Sequence, residues 1–290
     1  MGYFEGYYVK CTGARGTVAV IFGEAKRGGN KTAFIQIITK DNSYNKNFDH
    51  QEFSISRREF DVRAGVNHAN KKGMLLDINS EDLKISGDIK FGEFGPIEYD
   101  AMGPFRFLPF MECRHTVVSM RHKISGKISI NGVEHNFDDG VGYIEGDRGK
   151  GFPRKYFWSQ VNEGNISVSA SCAIIPYFGI RFKGTICFIH VNGQKLRIAT
   201  YCGARVKTFN ESKLVIIQGR RKKKRYRLEI LSLDKRGTND RSLWAPMRGE
   251  MKRVIQESVE RKVNYKLTRG SQTIFDFTSD RAALEFSDLG

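Results

Sequence analysis

Hydrophobic and polar residues alternate along most of this chain, and the alternation is typical of β-strands. Runs rich in Val, Ile, Phe, Tyr and Thr recur between short turn signals, among them TVAVIFG, TAFIQIIT, LKISGDIKF, ISVSASCAII and RLEILSL. Asn131-Gly132 and Asn192-Gly193 separate such runs, and each predicts a two-residue hairpin turn because both central positions need positive φ. Only the segment Met247 to Val259 has much helical pattern. We therefore expect an all-β, antiparallel protein.

The order of these elements is repeated in the two halves of the chain. YFEGYYVKCTGARGTVAVIFG near the start and KYFWSQVNEGNISVSASCAII from Lys155 both join an aromatic opening, a turn and a β-branched strand. Later in each half, GYIE follows RHTVVSMRHKISGKISINGVEHNF and ALEF follows ERKVNYKLTRGSQTIFDF. This self-similarity predicts two related β domains, which we place at residues 1–152 and 153–290.

Positive charge is concentrated in the second half of the chain. The 290 residues carry a formal net charge of +16. Residues 1–150 hold 21 Lys and Arg against 20 Asp and Glu, whereas residues 151–290 hold 27 against 12. The densest basic run comprises Arg220, Arg221, Lys222, Lys223, Lys224 and Arg225. We interpret it as a solvated hairpin tip or as a contact with an anionic membrane surface. We expect no nucleic acid partner, because no nucleic-acid-reading module accompanies the run.

Composition and spacing exclude several other classes. No apolar run approaches the roughly 20 residues that span a bilayer, and the start does not resemble a signal peptide, so we expect a cytoplasmic location, at most peripheral to a membrane. Five cysteines without a CxxC pair predict reduced thiols rather than a disulfide framework or a zinc site. Gly151 occupies the hydroxyl position that a P-loop requires, and His115 and His122 are seven residues apart on one predicted strand. We therefore expect no nucleotide, metal or other cofactor.

Polar and aromatic residues concentrate around the segment that joins the two predicted domains. Trp158, Gln160 and Asn162 alternate at period two, so one face of a strand would present all three. A carboxylic acid enclosed by aromatic side chains keeps its proton because burial disfavours the charged form, which makes Glu145 and Asp147 candidate acids. An interdomain network of ion pairs would use the same residues without any chemistry.

The segment GYIEGDRGKGFPRKYFWSQVN, preceded by NGVEHNFDDG, resembles the signature of the tocopherol cyclase family, in which an acidic and aromatic segment leads into GxxFPRKWFWxQxN. YFEGYYVK resembles the family's EGWYFK opening, and LWAPMRGEM resembles its later LxAP segment. The resemblance covers essentially the whole chain and implies two lipocalin-like antiparallel β-barrel domains packed side by side. It departs at two positions, since Tyr7 and Arg148 stand where the family has tryptophan.

The resemblance also implies a cofactor-free, acid-catalysed cyclisation that closes a chromanol ring on a prenylated hydroquinone. A proton is added to the prenyl double bond, and the phenol oxygen captures the resulting tertiary carbocation. Asp147 or Glu145 would supply the proton. The aromatic residues that would stabilise the cation are Tyr7, Tyr143, Phe157 and Trp158, and those that would orient the phenol are His115, Gln160 and Asn162. Glu112 and Arg148 are further candidate ligand-binding residues.

Three functions stay open on the sequence alone. A cyclase, which is an isomerase, needs an enclosed, aromatic-lined pocket with Asp147 or Glu145 at its wall. A non-catalytic binder of an apolar, prenyl-lipid-type ligand needs the pocket but no acid. A scaffold needs neither, because ion pairs would fill the junction. Barrels of modest strand number are either packed solid or hold one small ligand, so the strand pattern does not separate these functions.

Overall fold

A computed structural model describes residues 2–109, 111–177, 179–219, 221, 224–235 and 237–288. Within these ranges the secondary structure consists of 22 β-strands and three short 3₁₀ segments, at His50–Glu52, Gly103–Phe107 and Thr200–Cys202. Neighbouring strands of both sheets run antiparallel. The prediction of an all-β, antiparallel protein is confirmed.

The first sheet is formed by the first twelve strands of the chain. These are β1 (Tyr3–Gly13), β2 (Gly16–Arg27), β3 (Asn30–Ile38), β4 (Ser43–Phe48), β5 (Phe53–Ile55), β6 (Asp61–Ala64), β7 (Asn67–Asn70), β8 (Gly73–Asn79), β9 (Lys84–Phe91), β10 (Cys113–Ile130), β11 (Val133–Asn136) and β12 (Gly140–Gly149). They follow the order β4-β3-β2-β1-β12-β10-β9-β8-β7-β6-β5, with β11 paired to β10. The first strand of this half of the chain therefore pairs with the last.

The second sheet is formed by the remaining ten strands. These are β13 (Lys155–Glu163), β14 (Ile166–Tyr177), β15 (Ile180–Val191), β16 (Gln194–Ala199), β17 (Ala204–Phe209), β18 (Lys213–Gln218), β19 (Tyr226–Ser232), β20 (Arg241–Met247), β21 (Glu250–Arg269) and β22 (Gln272–Asp288). Their order is β16-β15-β14-β13-β22-β21-β19-β18-β17, with β20 paired to β21. Again the first strand, β13, pairs with the last, β22, so the two sheets repeat one strand order.

Local sequence chemistry explains the tight turns. Asn131 and Gly132 have φ values of 49° and 84° and connect β10 directly to β11, while Asn192 and Gly193, at 48° and 76°, connect β15 to β16. Both predicted hairpins are confirmed. The helical pattern over Met247–Val259 was a wrong indication, because those residues lie mostly in β20 and β21.

Each sheet buries its own hydrophobic cluster on one face. In the first sheet, Val9 of β1 lies opposite Ile144 of β12, and both are fully buried in that cluster. In the second sheet, Phe157 and Val161 of β13 are fully buried in the corresponding cluster. Side chains of adjacent residues alternate between faces, so residues next to these in sequence lie on the opposite face.

The chain divides into two compact units. The first contains Met1–Glu98, Glu112–Phe152 and Leu243–Val254, and the second contains Tyr99–Met111, Pro153–Ser242 and Ile255–Gly290. Within the first unit, the Gln36 side-chain amide donates to the Trp244 carbonyl at 2.9 Å and accepts from the Trp244 amide at 2.8 Å. A segment from late in the chain thus belongs to the first unit. The division into domains 1–152 and 153–290 stays a prediction.

Backbone hydrogen bonds hold the start of the segment that joins β12 to β13. The Lys150 amide donates to the Glu112 carbonyl at 2.8 Å, and the Gly249 amide donates to the Lys150 carbonyl at 2.7 Å. At Gly149 a Cβ would lie 2.1 Å from the Glu112 oxygen, and φ is 156°. Glycine is therefore required where β12 ends.

Candidate functional site

Strand alternation sorts the candidate residues of the first unit onto two faces of the first sheet. On β12, Glu145 and Asp147 share the face of Tyr143, away from the hydrophobic cluster that contains Ile144. Arg148 lies on the face that carries the hydrophobic cluster. Because Tyr7 pairs with Gly146 across β1 and β12, its side chain also lies on the cluster face. The sequence-predicted residues Tyr7 and Arg148 are thus separated from the two candidate acids.

Four of the predicted residues form a hydrogen-bonded group, which we call the carboxylate–histidine cluster: His115, Tyr143, Glu145 and Asp147. His115 of β10 pairs with Asp147 of β12, which brings Nδ1 within 3.1 Å of Oδ1. The second ring nitrogen, Nε2, lies 3.6 Å from Oε2 of Glu145. The hydroxyl of Tyr143 donates to the same Glu145 oxygen at 2.5 Å. One imidazole therefore lies between two carboxylates.

Charge in this cluster favours the protonated imidazole. Burial alone would lower the pKa of His115, but the charges of Asp147 and Glu145 and the hydrogen bond to Asp147 raise it to about 9. Burial also raises the pKa of the neighbouring Cys113 thiol, and the charge of Asp147 raises it further. The Cys113 thiol donates to Asp147 at 3.3 Å. At neutral pH the cluster therefore holds a proton on His115, while Cys113 stays a thiol.

The ligand atoms of His115, Glu145 and Asp147 lie within 4.8 Å of one another, a spacing that a metal ion also requires. The two ring nitrogens of His115, however, point to different carboxylates. Hydrogen bonds and ion pairing account for this arrangement, and we assign no metal to it.

A second group of polar residues lies at the end of the same strands, on the face that carries the hydrophobic cluster. The Tyr3 hydroxyl donates to Oε2 of Glu5 at 2.6 Å, and Arg148 lies 3.9 Å from Oε1 of the same carboxylate. Glu5 is buried and pairs with Arg148 across β1 and β12. Burial raises the pKa of Tyr7, the next residue along this face. We call Tyr3, Glu5, Tyr7 and Arg148 the inner-face group.

Aromatic rings continue from the inner-face group along the interior of the first sheet. The rings of Tyr7 and Phe60 meet edge to face with centroids 5.0 Å apart, and Phe60 lies 6.1 Å from Phe94. Phe94 in turn lies 4.8 Å from the ring of His122. His122 is buried, its Nδ1 lies 3.0 Å from the Ser119 hydroxyl, and its Nε2 has no hydrogen-bond partner. Burial lowers the pKa of His122 to about 4, so this ring is neutral at pH 7.

In the second unit, the structure places Trp158, Gln160 and Asn162 on one face of β13, as the alternation predicts. Phe157, the fourth predicted residue there, lies on the opposite face within the hydrophobic cluster. The buried Tyr156 hydroxyl donates to the buried Glu285 carboxylate of β22. Glu285 was not predicted. It lies in the ALEF segment, but a residue-by-residue match of ALEF with GYIE places Glu285 on Ile144 rather than on Glu145, so the sequence repeat did not indicate it.

Sequence reasoning also missed Tyr3 and Glu5. Their signal was the alternation Tyr3, Glu5, Tyr7 in the opening strand, which places all three on one face. Glu112 is half-buried, and its backbone carbonyl accepts the Lys150 amide. A ligand-binding role for Glu112 stays a prediction.

Two open grooves lie on the first unit, away from the carboxylate–histidine cluster. One has a volume of about 630 Å³ and is lined by β9 and β10 residues such as Asp88 and Lys127. The other, of about 720 Å³, is lined by residues that include Asn45, Trp244 and Lys252. Neither groove is lined by Glu145 or Asp147.

The predicted basic run falls partly outside the described residues, namely at Arg220, Lys222 and Lys223. Arg221 and Lys224 are exposed. Among the described residues, no helix is both long and apolar enough to cross a bilayer.

Comparison with solved structures defines the class of fold. The structure is similar to kievitone hydratase from Nectria haematococca, with a TM-score of 0.56 and 11% identity over 99% of this chain and 89% of that chain. It is also similar to CghA with Sch210972, with a TM-score of 0.59 and 8% identity over 99% of this chain and 88% of that chain. A protein provisionally assigned as AttH from Nitrosomonas europaea gives a TM-score of 0.53 and 12% identity over 98% and 92%. The fold is lipocalin-like, as expected.

The family follows from the sequence itself. The family model described as tocopherol cyclase-like matches residues 41–287, which is most of the chain, so the chain belongs to the tocopherol cyclase-like family. No curated protein sequence matches it.

Proposed function

We propose that this protein is an acid catalyst that closes a chromanol ring on a prenylated hydroquinone, as the family resemblance implies. The observation that supports this proposal is the His115 imidazole held between Asp147 and Glu145, at 3.1 Å and 3.6 Å. Ring closure requires a proton donor and a proton acceptor close together, and this partly buried group offers both. The same group would also catalyse the addition of other oxygen nucleophiles to a double bond. The name of the similar kievitone hydratase indicates that that protein adds water.

In the proposed reaction, a proton shared by His115 and Asp147 moves to one carbon of the prenyl double bond. The phenol oxygen then bonds to the tertiary carbocation. Glu145 takes the phenol proton while Tyr143 holds that carboxylate in place through its hydroxyl. The cluster ends with the number of protons it began with, so the step is an isomerisation without a cofactor.

Product analysis tests this proposal. Purified protein is incubated with prenylated hydroquinones of different chain length, and chromanol formation is followed by chromatography. We expect Asp147→Asn and His115→Asn to reduce the rate by about 10²-fold or more, as is usual for loss of a general acid. His68→Asn, on β7 of the same sheet, is the matched control. The absence of product with every substrate would remove the enzymatic proposal.

A second candidate, a non-catalytic binder of an apolar ligand, is favoured by the inner-face group and the aromatic rings behind it. Glu5 and Arg148 would hold a polar head, and the rings of Tyr7 and Phe60 would contact an apolar tail. Titration with a prenylated quinone, which has no phenol to cyclise, tests this candidate. Weaker binding by Tyr7→Ala, without turnover by the wild type, would favour the binder.

For the basic run, contact with an anionic membrane stays a proposal. It is tested by sedimentation with vesicles of anionic or zwitterionic phospholipid. Replacement of Arg221 and Lys224 by glutamine should weaken binding to anionic vesicles only. Equal sedimentation with both vesicle types would contradict the proposal.

A further inference from the structure

A segment from the first half of the chain belongs to the second unit. Residues 99–109 lie between β9 and β10 in sequence, but they group with the second unit, which also contains β15 and β16. The segment reads YDAMGPFRFLP and contains the 3₁₀ turn Gly103–Phe107. We call it the aromatic segment.

Aromatic contacts fix the aromatic segment on the second unit. The ring centroid of Phe105 lies 5.8 Å from that of Tyr201 and 6.1 Å from that of Phe182 on β15. The Tyr201 hydroxyl donates to the Ala101 carbonyl at 3.0 Å. Because these contacts anchor the segment at two points, the side chains that it directs outwards have a defined place on the surface.

Three large hydrophobic side chains around the contact between Phe105 and Phe182 are exposed. The relative exposure is 73% for Phe107, 64% for Ile180 and 57% for Tyr99. Ile180 lies two residues before Phe182 on β15, so both side chains are on the face where the aromatic segment packs. We call Tyr99, Phe107 and Ile180 the apolar patch. Neighbouring hydrophobic side chains that stay in water mark an interaction surface.

Basic residues accompany the apolar patch. Arg106, Arg181 and Lys183 are exposed, and they lie next to members of the patch in sequence or follow them along β15. The aromatic segment and the hairpin of β14 and β15 at residues 174–184 hold these three basic residues against one acid, Asp100. Asp100 lies 3.7 Å from Arg106. The surface around the patch therefore has a positive net charge.

Exposed rings beside cations match the surface of an anionic bilayer. Aromatic side chains favour the depth of the lipid head groups, and basic side chains are attracted to anionic lipids. The Arg106 guanidinium lies 4.5 Å from the centroid of the Phe107 ring, and the Arg197 guanidinium lies 4.2 Å from that of Tyr99. A lipid phosphate bound to either arginine would lie beside a ring that contacts the lipid chains. A bilayer supplies negative charge and apolar surface together.

We propose that the apolar patch and its basic neighbours form a membrane-docking surface, which inserts into the head-group region of an anionic phospholipid bilayer. Phe107 enters the boundary between head groups and acyl chains, while Arg106, Arg181 and Lys183 contact lipid phosphates. This surface differs from the basic run at residues 220–225, which would contribute charge without insertion. Docking does not require turnover, so the inference stands apart from the proposed function.

Sedimentation with vesicles tests the surface on the whole chain. One set of vesicles contains phosphatidylcholine alone, and the other contains phosphatidylcholine mixed with phosphatidylserine. We expect Phe107→Ser to weaken binding to the mixed vesicles by about tenfold or more, because an aromatic side chain no longer leaves water. Val133→Ser is the matched control, since Val133 is an exposed hydrophobic residue of the first sheet. It should bind as the wild type does.

Arg181→Gln and Lys183→Gln test the contribution of charge. Each substitution should weaken binding to the mixed vesicles by about fivefold and leave binding to phosphatidylcholine unchanged. Lys71→Gln is the control, because it removes one positive charge from an exposed position of the first unit. Equal losses in Arg181→Gln and Lys71→Gln would mean that net charge alone attracts the protein, which would overturn the docking surface.

Fluorescence quenching measures insertion directly. Phe107→Trp adds a third tryptophan at an exposed position, which should leave the fold intact. We expect vesicles that contain brominated phospholipid to quench Phe107→Trp more strongly than the wild type. Val133→Trp should show only the quenching of the wild type. Quenching of Phe107→Trp that does not exceed this level would overturn insertion.

Two further results would assign the patch to another role. If Phe107→Ser binds the mixed vesicles as tightly as the wild type while Arg221→Gln with Lys224→Gln does not, the basic run alone contacts the membrane. If the wild type binds neither vesicle and forms a dimer that Phe107→Ser abolishes, the patch joins two copies of this chain. Either result would overturn the proposal. Failure to convert any prenylated hydroquinone would remove the proposed enzyme and leave the docking surface unaffected.

Discussion

The ring of His122 packs directly onto the backbone of Gly142. A Cβ at residue 142 would lie 2.2 Å from Nε2 of that ring, far inside van der Waals contact. The two residues pair across β10 and β12, and Phe91 and Phe94 contact the ring from other sides, at centroid distances of 4.9 Å and 4.8 Å. The ring therefore has little room to move away.

Gly142→Ala should destabilise the protein by about 1–3 kcal/mol, the usual cost of overpacking a filled core. Chemical denaturation at pH 7 measures this change. Gly29→Ala is the control, because a Cβ there would contact nothing within 4 Å. Equal stability of the two variants would contradict the packing described for His122.

The neutral state of His122 predicts a loss of stability in acid. Its pKa is lowered from 6.5 to about 4 in the folded protein, so the unfolded chain binds the proton first as the pH falls. The loss begins below pH 6.5, is complete near pH 4 and is on the order of 3 kcal/mol. Denaturation curves at pH 6.5 and pH 4.5 should therefore differ less for His122→Phe than for the wild type. An unchanged difference would assign the acid sensitivity to other groups.

The imidazolium of His115 predicts the opposite dependence on pH. Its folded pKa, raised to about 9, exceeds the unfolded value of 6.5, so its contribution is complete below pH 6.5. That contribution is lost as the pH rises towards 9, and it is on the order of 2–3 kcal/mol. His115→Asn should flatten the decline in stability between pH 6.5 and 9. His68→Asn should leave the decline as in the wild type.

Removal of the Tyr143 hydroxyl should cost about 1–3 kcal/mol, because the buried Glu145 loses a hydrogen-bond donor. Tyr143→Phe keeps the ring, so a change in unfolding free energy reports the hydroxyl. Tyr99→Phe is the control, since Tyr99 is exposed. A Tyr143→Phe protein as stable as the control would indicate that this hydrogen bond contributes nothing.

Loss of the Gln36 side chain should free the segment around Trp244. Gln36→Ala removes two hydrogen bonds to the Trp244 backbone, which predicts a cost of about 1–3 kcal/mol. The chain has two tryptophans, so in a Trp158→Phe background the fluorescence reports Trp244 alone. We expect a red shift and faster proteolysis within residues 243–254. The exposed Gln51→Ala is the control, and an unchanged spectrum in Gln36→Ala would contradict the expectation.

Local chemistry made the strands and turns predictable. The Asn131-Gly132 turn needs only two adjacent residues that tolerate positive φ, and the shared face of Trp158 and Gln160 needs only an unbroken strand. Neither depends on distant parts of the chain. The alternation along these segments was therefore sufficient.

Buried polar residues explain why the start of β21 gave a helical pattern. Arg253 and Glu257 are buried and Val254 is exposed, so the alternation in burial along this strand is not matched by an alternation in hydrophobicity. The register shifts in the pairing with β22 begin only at Ser258, at the end of the segment that had the helical pattern.

The sequence named the members of the carboxylate–histidine cluster but not their grouping, and the functional role of these residues stays a prediction. Tyr7 and Arg148 were placed with Glu145 because they are aromatic or charged and near the same motif. A difference of one position along a strand places a side chain on the other face, and only the pairing of β1 with β12 fixes that position. The partnership of His115 with Asp147 likewise depends on the register of β10 and β12, which the sequence does not encode locally.

The two hydrogen bonds between the Gln36 side chain and the Trp244 backbone have a consequence for protein synthesis. The first unit also includes Glu250, which forms an ion pair with Arg27. A ribosome reaches these partners only after most of the chain has been translated, so the first sheet leaves the exit tunnel long before the segment that completes it. In a nascent chain halted at residue 152, the Gln36 side chain and its strand would lack the Trp244 backbone as a partner and would be accessible to chaperones.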